Sequence, residues 1–183
     1  EHAGLVTSIA FSPDGQTTVS GGDDNIIRVW NVEDGHAVWT IEGVNRIRTL
    51  AISADGRKFA SGDDKTVRIW DIRNARLVRT LEGYVWVESV AFSPNSELLV
   101  HDDNSFVQVW DISSGKSVFT LEGDTIGVSV AVAYSPDGRH IVSGSTDKIL
   151  LLWNAQTGLP LRRLEGHEGA VRTVAFSLDG SRI

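Results

Sequence analysis

The chain has 183 residues, 41% hydrophobic and 22% charged, with a formal net charge of −7 and no cysteine. This is the balance of a globular protein with enough chain for a sizeable core; the missing cysteine excludes disulfides and thiolate metal sites, and the acidic balance argues against a general nucleic-acid binder, whose phosphate contacts need a basic surface. No stretch approaches the roughly 18 uninterrupted apolar residues of a membrane-spanning helix, no basic-then-apolar leader opens the chain, and a start at Glu1 rather than Met points to preceding residues in the natural product.

From the N-terminus, the apolar, β-branched run Val6 to Phe11 predicts a first strand. Ser12-Pro13-Asp14-Gly15 follows as a turn, with proline presetting φ and Asp-Gly supplying a side-chain acceptor and a positive φ. A second strand ends at Ser20-Gly21, and the acidic turn Asp23-Asp24-Asn25 reverses the chain into a tryptophan strand, Ile27 to Asn31. A hairpin at Glu33-Asp34-Gly35 leads to a fourth strand, Ala37 to Ile41. The series then recurs. First strands are expected at Ile47 to Ile52, Val87 to Phe92, Val130 to Tyr134 and Val171 to Phe176, each running into a serine turn at Ser53, Ser93, Ser135 or Ser177. Second strands end at Ser61 and Ser143, and tryptophan strands at Asp71, Asp111 and Asn154. Helical periodicity is missing throughout.

The period is the main signal. Trp30, Trp70, Trp110 and Trp153 are spaced 40, 40 and 43 residues apart, and Gly43, Gly83, Gly123 and Gly166 keep the same spacing. Such sheets are apolar on both faces and become stable only by stacking on their neighbours. With four Trp-Asp or Trp-Asn dipeptides in register, His2 and His167 at repeat openings and Ala-Phe-Ser three times over, the chain resembles the WD40 repeat family along its whole length. The resemblance implies an all-β fold, a β-propeller of four complete four-stranded blades and part of a fifth. As one array the repeats run 1–43, 44–83, 84–123 and 124–166, with a partial repeat at 167–183. The fifth breaks off inside its second strand, so a segment of a larger ring is expected, ahead of closure by a second copy or a ragged four-bladed ring.

The resemblance also implies a buried relay within each blade, from an opening His through a strand Ser and a turn Asp to the Trp. The set is complete in the first repeat, with His2, Ser20, Asp24 and Trp30. Later repeats keep parts of it: Asp64 and Trp70; Trp110; Ser143, Asp147 and Trp153; and His167 at the last opening. Val44, Tyr84 and Asp124 stand where histidine is expected, and Asn104 replaces the turn Asp of the third repeat. The second and third repeats are each one residue short before the tryptophan strand, and the third blade is expected to be the least rigid.

Local motifs for catalysis or cofactors fail on spacing. Gly115-Lys116-Ser117 lacks the earlier glycine of a phosphate loop, because Trp110 stands there. The acidic turns lack the converging oxygens that calcium wants, and the five histidines form no metal-spaced pair. No cofactor, metal or enzyme activity is therefore expected, with a composite site in a central channel as the remaining enzymatic alternative. The expected function is a protein-interaction scaffold acting inside the cell on proteins or peptides, away from membranes.

Carried over from the family, partners would dock at the loop ends on one face: Leu5, Thr7 and Asp23; Arg46, Arg48 and Asp63; Trp86, Glu88 and Asp103; Thr146; Arg172. Trp86 reads equally well as an exposed anchor or as packing beneath a neighbouring loop. Residues 44–83 carry nine of the 17 basic residues and a net +4, whereas 84–123 carry −5. The positive repeat makes a nucleic-acid or phosphate reader the alternative function. A solvated surface of weak ion pairs is the better reading of the charge, since these arginines are spread over top, bottom and rim.

Overall fold

The computed structural model describes residues 1–82, 86–103, 106–123 and 127–183, with residue 103 by its backbone alone. Tyr84, Asn104, Asp124 and the side chain of Asp103 lie outside the described residues. Among those described there are sixteen strands and no helix. The chain divides into two compact units, Glu1–Val87 and Glu88–Ile183.

The first unit holds two antiparallel four-stranded sheets, each in sequential order. One is built from β1 (Val6–Phe11), β2 (Thr17–Gly22), β3 (Ile27–Asn31) and β4 (Ala37–Ile41). The other is built from β5 (Thr49–Ile52), β6 (Lys58–Gly62), β7 (Thr66–Asp71) and β8 (Leu77–Glu82). Val19, Ile27 and Val29 of the one pack with Leu50, Phe59 and Trp70 of the other in a shared core. Each such aliphatic side chain, fully buried, contributes roughly 1.5–3 kcal/mol.

The second unit repeats the plan. Its third sheet comprises β9 (Val90–Phe92), β10 (Leu98–Asp103), β11 (Phe106–Asp111) and β12 (Lys116–Leu121). Its fourth comprises β13 (Ser129–Tyr134), β14 (His140–Ser145), β15 (Leu150–Asn154) and β16 (Pro160–Leu164). Val100, Val107, Val109 and Leu121 meet Val132, Ile141, Leu151 and Trp153 between these sheets. These are the meanders expected of propeller blades.

The local chemistry explains the regularity. In the first serine turn, Ser12 Oγ donates to Asp14 Oδ1 at 2.5 Å, and the Gln16 N–H donates to the same oxygen at 3.0 Å. Gly15 closes that turn at φ +70°, in the left-handed region where only glycine is free of Cβ strain. The third repeat departs here, with Ser96 held at φ +61°. A register shift sits immediately before each of the four periodic tryptophans, bending the outer strand at the same place in every sheet.

The residue after each relay serine is a point of close approach. A Cβ on Gly62 would stand 2.6 Å from Thr49 and 2.8 Å from Val87, and one on Gly144 would stand 2.7 Å from Val171. Glycine lets the next first strand lie against the second strand there. In the third sheet His101 pairs across from Gln108, as Ser61 pairs across from Arg68. Asp102 therefore occupies the glycine position, a substitution the repeat pattern alone did not flag.

The expectation of a strand at Val171 to Phe176 is corrected by the structure, which leaves this stretch without strand pairing. A strand needs a ladder partner, and the second strand of that repeat is not formed before Ile183. Its serine turn does form, with the Ser177 N–H donating to Arg182 O at 3.0 Å. Val171, Val174 and Phe176 still pack on Val142 and Leu150 of the fourth sheet.

Candidate functional site

Two features of the first unit stand out, a polar chain inside the first sheet and a charged, aromatic surface at its loop ends. In the first sheet the Trp30 indole N–H donates to Ser20 Oγ at 2.7 Å, and Ser20 Oγ lies 2.7 Å from His2 Nε2. His2 Nδ1 lies 2.8 Å from Asp24 Oδ2. One proton arrangement satisfies all three links: indole to hydroxyl, hydroxyl to Nε2, and Nδ1–H to the carboxylate. Burial pushes the Asp24 carboxyl up. Bonds from His2, the Ala3 N–H and Arg28 outweigh that push and hold it below the ordinary range. The loop before β1 is thereby tied to the turn between β2 and β3.

The other sheets hold fragments of this chain. In the second, Trp70 donates to Ser61 Oγ at 2.9 Å, and Val44 is buried where His2 has its counterpart. The two acids of its turn differ from expectation. Asp63, assigned to the surface, is 1% exposed; Asp64, assigned to the relay, has its side chain 45% exposed. Asp63 accepts from the Lys65 and Thr66 N–H groups at 2.9 and 2.8 Å, from Thr66 Oγ1 and from Arg68. The turn is one residue shorter than in the first repeat, so the acid that caps the backbone two residues on comes one place earlier. Burial raises the Asp63 carboxyl, but these bonds prevail and its pKa is lowered.

In the third sheet, His101 stacks on Trp110 with ring centroids 6.2 Å apart and donates from Nδ1 to Asp102 O at 2.7 Å. The Trp110 indole N–H is buried with no hydrogen-bond partner among the described residues. Asp102 is fully buried. One of its oxygens accepts from the Ser89 N–H at 2.7 Å, and the other has no partner among the described residues. Burial, against the pull of the Ser89 bond and helped by the charge of Glu88, pushes this carboxyl up to about 8. In the fourth sheet Trp153 donates to Ser143 Oγ at 2.9 Å, while Asp147 accepts from Ser145 Oγ and from the Gly127 N–H. His167 is exposed, since the strands that carry its partners in other repeats are not formed here.

At the loop ends of the first unit the arginines are paired. Arg46 Nε donates to Asp23 Oδ1 at 2.7 Å, and Arg48 Nε donates to Asp64 Oδ1 at 2.8 Å. The Arg48 guanidinium also lies 4.7 Å from the centre of the Trp86 ring. Trp86 is 61% exposed. Three residues distant in sequence thus form a stack of carboxylate, guanidinium and indole. Leu5 is exposed, and the Thr7 hydroxyl donates to Gly21 O and Ile47 O. In the second unit, Glu88 and Arg172 are exposed and Thr146 Oγ1 accepts from the Val128 N–H at 3.0 Å. The sequence did not disclose the arginine pairings, because each links the loop just before one repeat's first strand to an acidic turn in its own or the preceding repeat.

No group of three or more His, Asp or Glu that could hold a metal ion occurs among the described residues. No helix there is long and apolar enough to cross a membrane.

The family model for the WD domain, G-beta repeat, matches residues 1–31, 35–71, 75–111, 115–154 and 158–183. The chain belongs to the WD40 repeat family. It is 37% identical over 57 residues to eukaryotic translation initiation factor 3 subunit I of Candida albicans, covering 31% of this chain and 16% of that protein. It is 35% identical over 52 residues to small ribosomal subunit protein RACK1z of Arabidopsis thaliana, covering 28% of this chain and 16% of that protein. The ribosome biogenesis protein erb1 of Neurospora crassa is 42% identical over 52 residues, covering 26% of this chain and 7% of that protein. The matched stretch is a small part of each relative.

Proposed function

We propose that the chain is a non-enzymatic scaffold that binds other proteins through the loop ends of its sheets, inside the cell. The observation that carries this reading is the stack of Asp64, Arg48 and Trp86, which presents a large exposed indole from the connection between β8 and β9. Tryptophan and arginine are the residues on which interface energies concentrate, and a ring already held by a guanidinium loses little freedom on binding. The similarity to a subunit of an initiation factor and to a ribosomal subunit protein supports a place within a larger assembly. Arg46 and Arg48, which a phosphate ligand would need, already have carboxylate partners. No observation favours the nucleic-acid alternative over the protein one.

The test is affinity capture with the wild-type chain and with Trp86→Ala combined with Glu88→Arg. Loss of specific partners from the variant, at unchanged thermal stability, supports the surface. Equal recovery of every partner rejects it.

A further inference from the structure

In the fourth sheet the relay stops at a hydroxyl. Ser143 Oγ accepts from Trp153 at 2.9 Å, as Ser20 accepts from Trp30, but among the described residues no group accepts the Ser143 proton as His2 Nε2 accepts that of Ser20. Beside Ser143 lies a small pocket between the third and fourth sheets, with about 20 Å³ of space open to water and Val107, Leu151, Trp153, Ser129, Ser143 and Ser145 in its wall. The three serines are each more than nine-tenths buried, and Ser129 Oγ has no hydrogen-bond partner among the described residues.

Ser129 is itself out of pattern. Six residues before the turn serine the other repeats carry Val6, Ile47, Val87 and Val171. Val87 and Val171 stand within 3 Å of where a Cβ on Gly62 or Gly144 would be, so this position abuts the preceding sheet. An apolar side chain there needs no partner. A buried serine does, at a cost of about 1–3 kcal/mol if it finds none.

We propose that this pocket is a binding site for one ordered water, held by the hydroxyls of Ser129, Ser143 and Ser145 in the place that an imidazole nitrogen holds in the first sheet. The volume exceeds the roughly 10–15 Å³ that one water requires, and the wall offers partners within the two to four that a buried water uses. The hydrogen-bond valence closes. Ser143 has spent its acceptor role on Trp153 and can donate to the water; Ser145 donates to Asp147 and can accept from it; Ser129 can do either. Trp153 is then joined through Ser143 and the water to Ser129, linking the tryptophan strand to the first strand of the same sheet without a histidine.

A crystal structure of the chain at about 1.5 Å should show a solvent peak within about 2.7–3.2 Å of Ser129 and Ser143 Oγ. In solution, a cross-relaxation peak between water and the Trp153 indole should be present in the wild type, persist in Ser129→Thr and vanish in Ser129→Val. Ser129→Ala serves in place of the valine variant if that does not fold. A dry pocket, Ser129 and Ser143 bonded directly to each other, or a water peak that survives loss of the Ser129 hydroxyl each overturns the proposal.

Discussion

The first and third sheets carry the same periodic, partly buried indole in the same meander, with opposite polar accounts. Around Trp30, every link from indole to Ser20 to His2 to Asp24 is made, and the acid at the end sits below its ordinary pKa. Around Trp110, a histidine replaces the serine and stacks on the ring, leaving the indole N–H without a partner. An acid also replaces the adjacent glycine, buried and pushed up to about 8. The β10–β11 ladder still forms with both in place, and Val100, Val107 and Val109 pack in the apolar core beside them. The repeat thus fixes the fold through its apolar positions and leaves the polar interior free to vary. That freedom has consequences for stability.

The largest is pH dependence. A carboxyl whose folded pKa is raised stabilises the fold fully below its unfolded value of about 4. The contribution declines as the unfolded chain ionises while the folded one keeps its proton, and it is gone once pH passes about 8. Asp24 and Asp63, with lowered pKa values, act in the opposite sense and lose their contribution only as pH falls below the ordinary carboxyl range. The groups around Asp102 are Glu88, whose charge adds to the upward push, and its neighbour His101. Asp102→Asn should therefore remove a fall in unfolding free energy of at least about 2 kcal/mol between pH 5 and pH 9. Urea titrations at the two pH values measure it. Parallel pH profiles for variant and wild type would mean that the carboxyl is not the buried group described.

Replacing the indoles sharpens the contrast directly. Trp30→Phe and Trp110→Phe remove the same volume, but only the first removes a hydrogen bond. Trp30→Phe should cost about 1 kcal/mol more than Trp110→Phe, read from denaturation midpoints at unchanged slope. Equal costs would dissolve the distinction between the two sheets. By the same logic, amide exchange at Val100 and Val109 should exceed that at Val19 and Val29 by roughly tenfold, the factor set by about 1.4 kcal/mol of local opening.

The sequence made the meander legible because tryptophan, turn serine and Asp-Gly recur at one spacing, and spacing is what strands and turns impose. The strands at Val6–Phe11 and Ala37–Ile41 begin and end where the pattern puts them. Polar partners were harder to read, because they depend on register rather than period. One missing residue before Trp70 moved the capping role from Asp64 to Asp63. The burial of Asp102 was hidden for a related reason: it follows His101 into a slot that only the packed neighbour strand defines. Trp86 stood open between two readings; its ring is 61% exposed with the Arg48 guanidinium beside it, a contact that no periodicity encodes.

The smallest effect concerns that exposed ring. Arg48 lies over Trp86 and is anchored by Asp64, an arrangement worth about 0.5–1 kcal/mol at an exposed site. Arg48→Ala should therefore lower stability only slightly, while freeing the indole to sample other rotamers. If the guanidinium pre-orders the ring for a partner, the variant should lose more in binding than in folding, since the partner would then have to immobilise the side chain itself. Asp64→Asn tests the same chain one step back, weakening the anchor while leaving arginine and indole in place. Graded losses, Trp86→Ala above Arg48→Ala above Asp64→Asn, are expected when partner affinity is titrated. Wild-type affinity in both Arg48→Ala and Asp64→Asn would assign the recognition to the ring alone and leave the stack a local packing feature.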